Sequence, residues 1–354
     1  MDTKNVLLGS TAIVGAGIFL ANPAHAQLEV TLSGYTEFGV IAAENDAINP
    51  VFGDRGFDFF MDNEVFIRAQ GVDDATGITY GTRMEIEIGT DVGGAGTGDV
   101  VQDEIILFFS GAFGRVELGR DDGAADVMML DAASVAAGTG GIDGDLPINL
   151  TGAQIVDSSD AAKVTYFTPR VAGFQAGVSY IPDGGDDNSD NPLVGGADVE
   201  NWFEAGLNFV GEFAGLDVGL AGVGSFGDGE AGGDVSSWQA GGTIGFAGLR
   251  FGASYGQDDA DITGGITREL DLITAGVGFG IGPANASFTW EYNDNDTIGE
   301  ESNLFVLSAD VGLMPGVVLK GDLGYALDFP LNRGGGVVEI DDTLAGVVTI
   351  QLNY

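Results

Sequence analysis

The chain has 354 residues, with 54 acidic side chains against 12 Lys and Arg, a formal charge of −42. That charge repels nucleic acid, whose binding rests on cationic neutralisation of phosphate, and favours cations and a saline or divalent-rich setting. The absence of cysteine excludes disulfides and thiol chemistry, while 44% hydrophobic residues and a positive mean hydropathy argue against disorder.

In chain order the first element is "MDTKNVLLGSTAIVGAGIFLANPAHA". Lys4 opens it, Val6 to Leu20 form an apolar run, and Ala24-His25-Ala26 is an A-x-A cleavage site. This is the layout of a secretory signal peptide over residues 1–26, too short for a membrane-spanning helix. The mature chain then starts at Gln27 and keeps 354 − 26 = 328 residues as one domain, 27–354. His25 is the single histidine. Its removal would exclude Ser-His catalysis and His metal sites, leaving carboxylates, Lys, Tyr or an oxygen-bound metal for any enzyme.

Beyond residue 26 no run of 18 apolar residues occurs, and period-two alternation recurs to the end. In "ITYGTRMEIEIGT", Ile78, Tyr80, Met84, Ile86 and Ile88 share a face opposite Thr79, Arg83, Glu85 and Glu87. In "ANASFTWEY", Ala284, Ala286, Phe288, Trp290 and Tyr292 oppose Asn285, Ser287, Thr289 and Glu291. Sixteen strands are expected: 28–42, 58–71, 76–90, 101–111, 113–120, 161–168, 173–181, 200–211, 214–226, 234–247, 248–257, 268–280, 283–293, 302–314, 316–328 and 342–354.

Short turns such as "GAFG" (111–114), "GEFAG" (211–215) and "LMPG" (313–316) alternate with long polar loops such as "PDGGDDNSDNPLVGGADVE" and "NDNDTIGEE". A two-sheet sandwich needs no such alternation. A closed barrel in an outer membrane does, with apolar side chains outward and polar ones inward. The expected fold is therefore all-β, a 16-stranded antiparallel transmembrane barrel. Closure pairs the strand near Leu28–Val40 with the one ending at Tyr354, puts both termini on the short-turn, periplasmic rim, and removes both edges. Trp202, Trp238 and Trp290 are expected in the aromatic girdles.

The stretch "SGAFGRVELGRDDGAADVMML" (110–130) lacks the lysine and strand–loop–helix context of a phosphate-binding loop. Its alternation stops at Asp121, where a segment to about Asp160 begins, the longest loop in the chain. Loops of that length inside a compact domain are usually functional.

"LFFSGAFGRVELGRDDGAAD" (107–126) and "VTYFTPRVAGFQAGVSY" (164–180) resemble segments of general outer-membrane porins of alphaproteobacterial type, a family of sixteen-stranded trimers. The opening "LEVTLSGYTEFGV" (28–40) and the terminal Tyr354 fit as well, although that family more often ends in Phe. The resemblance implies that loop 121–160 folds into the lumen as a constriction. It brings acids Asp121, Asp122, Asp126, Asp131, Asp143 and Asp145, with Val127, Met128, Met129 and Leu130 as anchors to the wall. Arginines of the facing wall would be Arg68, Arg83 and Arg115, with Arg120 at the strand's exit.

The implied function is passive diffusion of ions and small hydrophilic solutes through a water-filled, cation-preferring pore, with no catalysis and no required cofactor. The implied partners are two further copies in a homotrimer, outer-membrane lipid and lipopolysaccharide. Calcium in the acidic loops is a side expectation, since Asp, Glu and Asn oxygens suit hard cations. Three alternatives stand beside this. One is a solute-specific channel of the same fold, and another a secreted, acidic, calcium-binding surface or adhesion protein. The third is an outer-membrane hydrolase, made weaker by the missing histidine.

Overall fold

The computed structural model describes residues 28–44, 56–88, 100–148, 150–151, 153–184, 199–229, 234–262, 266–296, 300–332 and 338–354. The expected signal peptide, 1–26, and most tips of the long loops lie outside the described residues.

The first half of the wall is β1 (Glu29–Ala43), β2 (Phe57–Asp73), β3 (Ile78–Ile88), β4 (Val100–Gly111), β5 (Gly114–Arg120), β6 (Ala162–Phe167), β7 (Phe174–Asp183) and β8 (Val199–Phe213). The second half is β9 (Leu216–Gly229), β10 (Asp234–Phe246), β11 (Leu249–Ile262), β12 (Ile266–Ile281), β13 (Ala284–Asn295), β14 (Glu300–Met314), β15 (Val317–Asn332) and β16 (Val338–Asn353). Each strand pairs antiparallel with its sequence neighbours, and β1 pairs with β16 to close the barrel. Closure is sealed by Tyr354, which exchanges two 3.0 Å backbone hydrogen bonds with Gly34. All sixteen expected strands are present. Several run further toward the long loops than expected, β15 to Asn332 and β16 from Val338, because pairing continues past the alternating apolar stretch.

Alternation does what a lipid-facing wall requires. On β13 Phe288 is exposed while Thr289 and Glu291 are buried; on β16 Val348, Ile350 and Leu352 face out while Val347 and Thr349 are buried inside. No described helix is long and apolar enough to cross a membrane, which says nothing of a barrel. The start of β1 and the end of β16 sit on the rim of the short turns. Three of those turns are two-residue Ala-Gly links: Ala172-Gly173, Ala214-Gly215 and Ala247-Gly248. Both residues of each have positive φ, 51° and 90° in the first pair, the left-handed geometry that matches the twist of a hairpin.

One expectation for the girdle is corrected. Trp238 is exposed and packs edge-on against Tyr255, and Trp290 stacks on Phe305, both on the outer face. Trp202 is fully buried, and its indole N–H donates to Ser225 Oγ at 2.6 Å inside the barrel. Trp202 keeps the inward parity of Glu204 and Asn208 on β8, and the register slip between Glu200 and Phe203, with Asn201 at φ 50°, re-phases only the residues before it.

The core lies within the lumen. Inward Ile41, Phe60, Leu304, Val306, Ala326, Ala345 and Val347 form one apolar cluster with Ile142, Leu146 and Ile148 of the segment between β5 and β6. That segment also contains the short helix α1 (Ala124–Met128) and two 3-10 turns, Ala133–Val135 and Gly141–Asp143. Beneath this segment, inward apolar residues alternate with buried polar ones such as Ser179, Glu204 and Glu291.

Candidate functional site

A segment that leaves a sheet needs new partners for its backbone N–H groups once it is buried. Here the wall supplies them. On the outgoing limb Ala124 N donates to Ser179 Oγ of β7 (2.9 Å) and Ala125 N to Glu204 Oε2 of β8 (3.2 Å). Further on, Ala137 N reaches Ser287 Oγ (2.8 Å), Gly138 N reaches Asp310 Oδ2 (3.2 Å) and Thr139 N reaches Asp322 Oδ2 (2.9 Å). On the way back Thr151 N donates to Glu291 Oε1 (3.0 Å), Val156 N to Asp258 Oδ1 (2.9 Å) and Ser158 N to Glu204 Oε1 (2.6 Å).

The loop thus lines the inner wall from β7 round to β16, its tip reaching Ile41 of β1 and Phe60 of β2, and leaves the rest of the β1–β5 face uncovered. Close approach needs glycine beneath it. A Cβ at Gly252 would stand 2.1 Å from Asp131 O, and one at Gly278 2.1 Å from Val135 O. Met128 and Met129 bury themselves in a cluster with Ala221, Val223 and Phe167, and Leu130 packs partly against it. Those three anchor the loop as expected. Val127 does not: it is 54% exposed, because the one-turn helix α1 points it away from the wall that Met128 faces.

The expected acids separate into two groups. Asp121 accepts from Arg83 Nη2 at 2.6 Å and, through its backbone carbonyl, from Lys163 Nζ. Asp122 and Asp126 lie side by side, and burial first, then the charge of Asp122, holds Asp126 above the ordinary carboxylate range. Asp143 is open to the lumen, and its surroundings push its pKa upward, chiefly through desolvation and then Asp131 and Glu291. Asp145 is pushed up to about 7 by burial and by Glu37. Asp131 is the exception. It is buried and accepts the N–H of Ser134 at 3.1 Å, so it caps a 3-10 turn inside the loop and does not line the pore.

Of the expected arginines, Arg68 and Arg83 are direct cross-strand partners on β2 and β3. Arg83 is held by Glu104 (2.5 Å) and Asp121. Arg115 pairs with Glu117 at 2.5 Å. The guanidiniums of Arg115 and Arg68 lie 4.3 and 5.4 Å from the ring centre of Phe108, an inward residue of β4. Arg120 belongs elsewhere. It lies five residues after Arg115, an odd offset, and its register with Ile105 and Ala162 puts it on the outer face shared by Leu118.

Sequence reading missed several residues of the opening. The uncovered wall is itself acidic: Tyr35 O–H lies 2.6 Å from both Asp62 and Glu64, and Glu85 is hydrogen-bonded to Glu64 and Glu104. Glu37 is paired with Lys320 at 3.0 Å. At the loop's return, Asp157 is pushed up to about 7 by burial and by Glu204. Carboxylate oxygens of Glu104, Asp122 and Asp160 lie within 4.8 Å of one another, a spacing suited to a hard cation. Inward parity alone marks Glu64, Glu85, Glu104 and Glu204. The loop's return past Asp157 and Asp160 has no such signal.

Residues 9–328 match the sequence model of a family described as Gram-negative porin. Among solved structures, an anion-selective porin from Comamonas acidovorans superposes with a TM-score of 0.64 at 18% identity, covering 93% of this chain and 100% of that one. A variant of the Rh. blastica porin gives 0.65 at 14% identity over 92% and 100%. An outer membrane protein of Vibrio cholerae, in trimer form, gives 0.62 at 13% over 92% and 99%. At these identities the likeness is one of fold. Two uncharacterized Rickettsia proteins match in part. That of R. conorii is 33% identical over 103 residues, 22% of this chain and 24% of the relative. That of R. typhi is 31% identical over 115 residues, 24% and 26%. The chain spans about a quarter of the length of these curated relatives.

Proposed function

The chain belongs to the Gram-negative porin family and forms an outer-membrane channel for solute diffusion, and from that premise we propose a general, cation-preferring diffusion pore, trimeric, with both termini in the periplasm. The observation that carries the preference is the uncovered wall. On β1–β5 the inward carboxylates Asp62, Glu64, Glu85, Glu104 and Glu117 outnumber the inward Arg68, Arg83 and Arg115, two of which are already paired. Facing them are Asp122, Asp126, Asp143 and Asp157 of the loop. Rings of carboxylate favour cations, and the partial neutralisation of the loop acids limits the preference without reversing it. Transit requires no chemistry and no resident cofactor. A divalent ion in passage meets dense oxygen donors at Glu104, Asp122 and Asp160. The calcium reading of the long acidic loops concerns tips outside the described residues.

Planar-bilayer conductance under a salt gradient tests the reading. Stepwise channels with a reversal potential of cationic sign are expected. Channels of anionic sign would overturn the charge argument, and no channels at all would overturn the pore.

A solute-specific channel is favoured by one feature, the two guanidiniums of Arg68 and Arg115 gathered at the Phe108 ring, which offer cationic donors to a carboxylated solute. Saturable block by such a solute in the same bilayer would put that reading first.

A further inference from the structure

Among the hydrogen bonds of the described residues, Glu204 is the anchor that joins two limbs of the constriction loop. Its neighbours on the wall each hold one stretch of loop: Ser179 takes Ala124, Glu291 takes Thr151, Asp258 takes Val156, and Asp322 takes Thr139 through both its N–H and its hydroxyl. Glu204 holds two. Oε2 accepts Ala125 N of the outgoing limb at 3.2 Å, and Oε1 accepts Ser158 N of the returning limb at 2.6 Å. These limbs are far apart along the loop yet meet on one fully buried carboxylate.

The surroundings are built around that meeting. Gly123 packs so closely that a Cβ there would stand 1.6 Å from Glu204 Oε2. Apolar packing closes either side: Met128 lies over Gly206 of the same strand, and Val156 and Ala161 of the returning limb pack with Trp202, two residues before Glu204. The pore-side acids nearest the root of the loop flank the same two limbs, Asp122 and Asp126 on one and Asp157 and Asp160 on the other.

We propose that Glu204 is the clasp of the constriction loop, a positioning residue that joins the loop's two limbs to each other and to β8 and so sets the spacing of the acids lining the opening. It contacts no solute. Its effect on permeation goes through the limbs, and for that consequence the inference rests on the channel reading above. A single carboxylate suits the task because it has two oxygens and no proton to donate, so both can accept charge-assisted hydrogen bonds from backbone N–H groups. Backbone acceptance also leaves the limb side chains free to face the pore. Glutamine at this position would keep one acceptor and turn an NH2 group against the other limb's N–H.

The test uses the full-length folded barrel carrying Glu204→Ala or Glu204→Gln, with Ser237→Ala as control, since the buried Ser237 hydroxyl has no hydrogen-bond partner among the described residues. Heat-modifiable gel mobility selects folded protein. Hydrogen exchange in detergent should show amides of both limbs, 124–128 and 155–161, exchanging about tenfold faster or more in Glu204→Ala, the loss expected for charged hydrogen bonds. In Glu204→Gln one limb should respond more than the other. Amides 138–142, held by Asp310, Asp322 and Thr289, should keep wild-type rates. Unchanged limbs in both variants overturn the clasp, and so does equal acceleration of limbs and tip, which would make Glu204 a general packing residue. In bilayers Glu204→Ala should raise single-channel conductance, and wild-type conductance in that variant would overturn the effect on permeation. If wild-type protein does not conduct, the channel reading falls, and the exchange pattern still decides the clasp.

Discussion

Arg83 of β3 and Asp121, the first residue of the constriction loop, meet at 2.6 Å across the uncovered side of the barrel. The same guanidinium nitrogen reaches Glu104 at 2.5 Å, so one cation ties the loop's origin to β3 and β4, the two strands before β5. Its cross-strand partner is another cation, Arg68. The two like charges tolerate each other because Arg83 is neutralised by carboxylates while Arg68 rests on Phe108.

The loop tip depends on apolar packing more than on charge. Ile148 is fully buried with Ile142 and Leu146 against inward residues of β14–β16, β1 and β2. Ile148→Ala removes buried methylenes at a site hemmed in by a closed wall, a local cost of about 2–4 kcal/mol. The sixteen-strand ladder is untouched by that change. The expected result is a barrel with near wild-type urea midpoint whose loop is cut by protease many times faster. A large drop in the midpoint would show that the tip cluster supports the barrel itself.

The barrel was legible in the sequence because alternation is local: Val348, Ile350 and Leu352 announce a lipid face without knowledge of any partner. The start of the loop was legible for the same reason, since alternation ends at Asp121. What the loop touches was not. Glu204 lies opposite Phe203 in the pattern and so reads as inward, but its partners Ala125 and Ser158 are 79 and 46 positions away and are bound through backbone N–H, which carries no side-chain signature. Trp202 shares the inward parity of Glu204, so alternation pointed it into the barrel, and its place near a strand end drew it into the girdle instead. For Arg120 parity itself pointed outward, and the resemblance drew it into the pore.

Three hairpins place alanine at positive φ, where a Cβ crowds the following carbonyl. Ala214 at φ 54° and Ala247 at φ 52° precede glycines whose added Cβ would meet nothing within 4 Å. Ala214→Asn or Ala247→Asn should stabilise the barrel by about 0.5–1 kcal/mol each, because Asn adopts this conformation more readily. Urea titration of the folded barrel measures it, and a lower midpoint for both variants would contradict the turn assignment.

The loop acids predict a pH dependence of selectivity. Asp145 and Asp157 are raised from 3.8 to about 7, principally by burial. For an acid with a raised native pKa the folded state binds more protons than the unfolded one, so stability falls as pH rises through the window from about 4 to 7 and is level above it. Charge follows the same window. Between pH 6 and pH 8 both groups ionise, so cation preference should strengthen while the loop's resistance to protease weakens. Reversal potentials and loop cleavage measured at both values check the pair of effects. A preference that weakens toward pH 8 would mean that these carboxylates lie outside the ion path.

Arg83 gives the last prediction. Replacing it with methionine keeps the length of the side chain and removes the charge that faces Glu104 and Asp121. Both carboxylates then add to a lumen that already holds Asp122 and Asp160 beside Glu104. Because Arg83 is more than a third exposed, water and salt screen the loss, and the effect should fall on permeation more than on folding. Arg83→Met is expected to move the reversal potential further in the cationic direction, most clearly at low ionic strength, with little change in urea midpoint. The loop's origin should loosen as well, seen as faster exchange at Asp122 and Gly123. A shift in the anionic direction would show that Arg83 serves mainly to hold its acids in the ion path, and that releasing them takes their charge out of it.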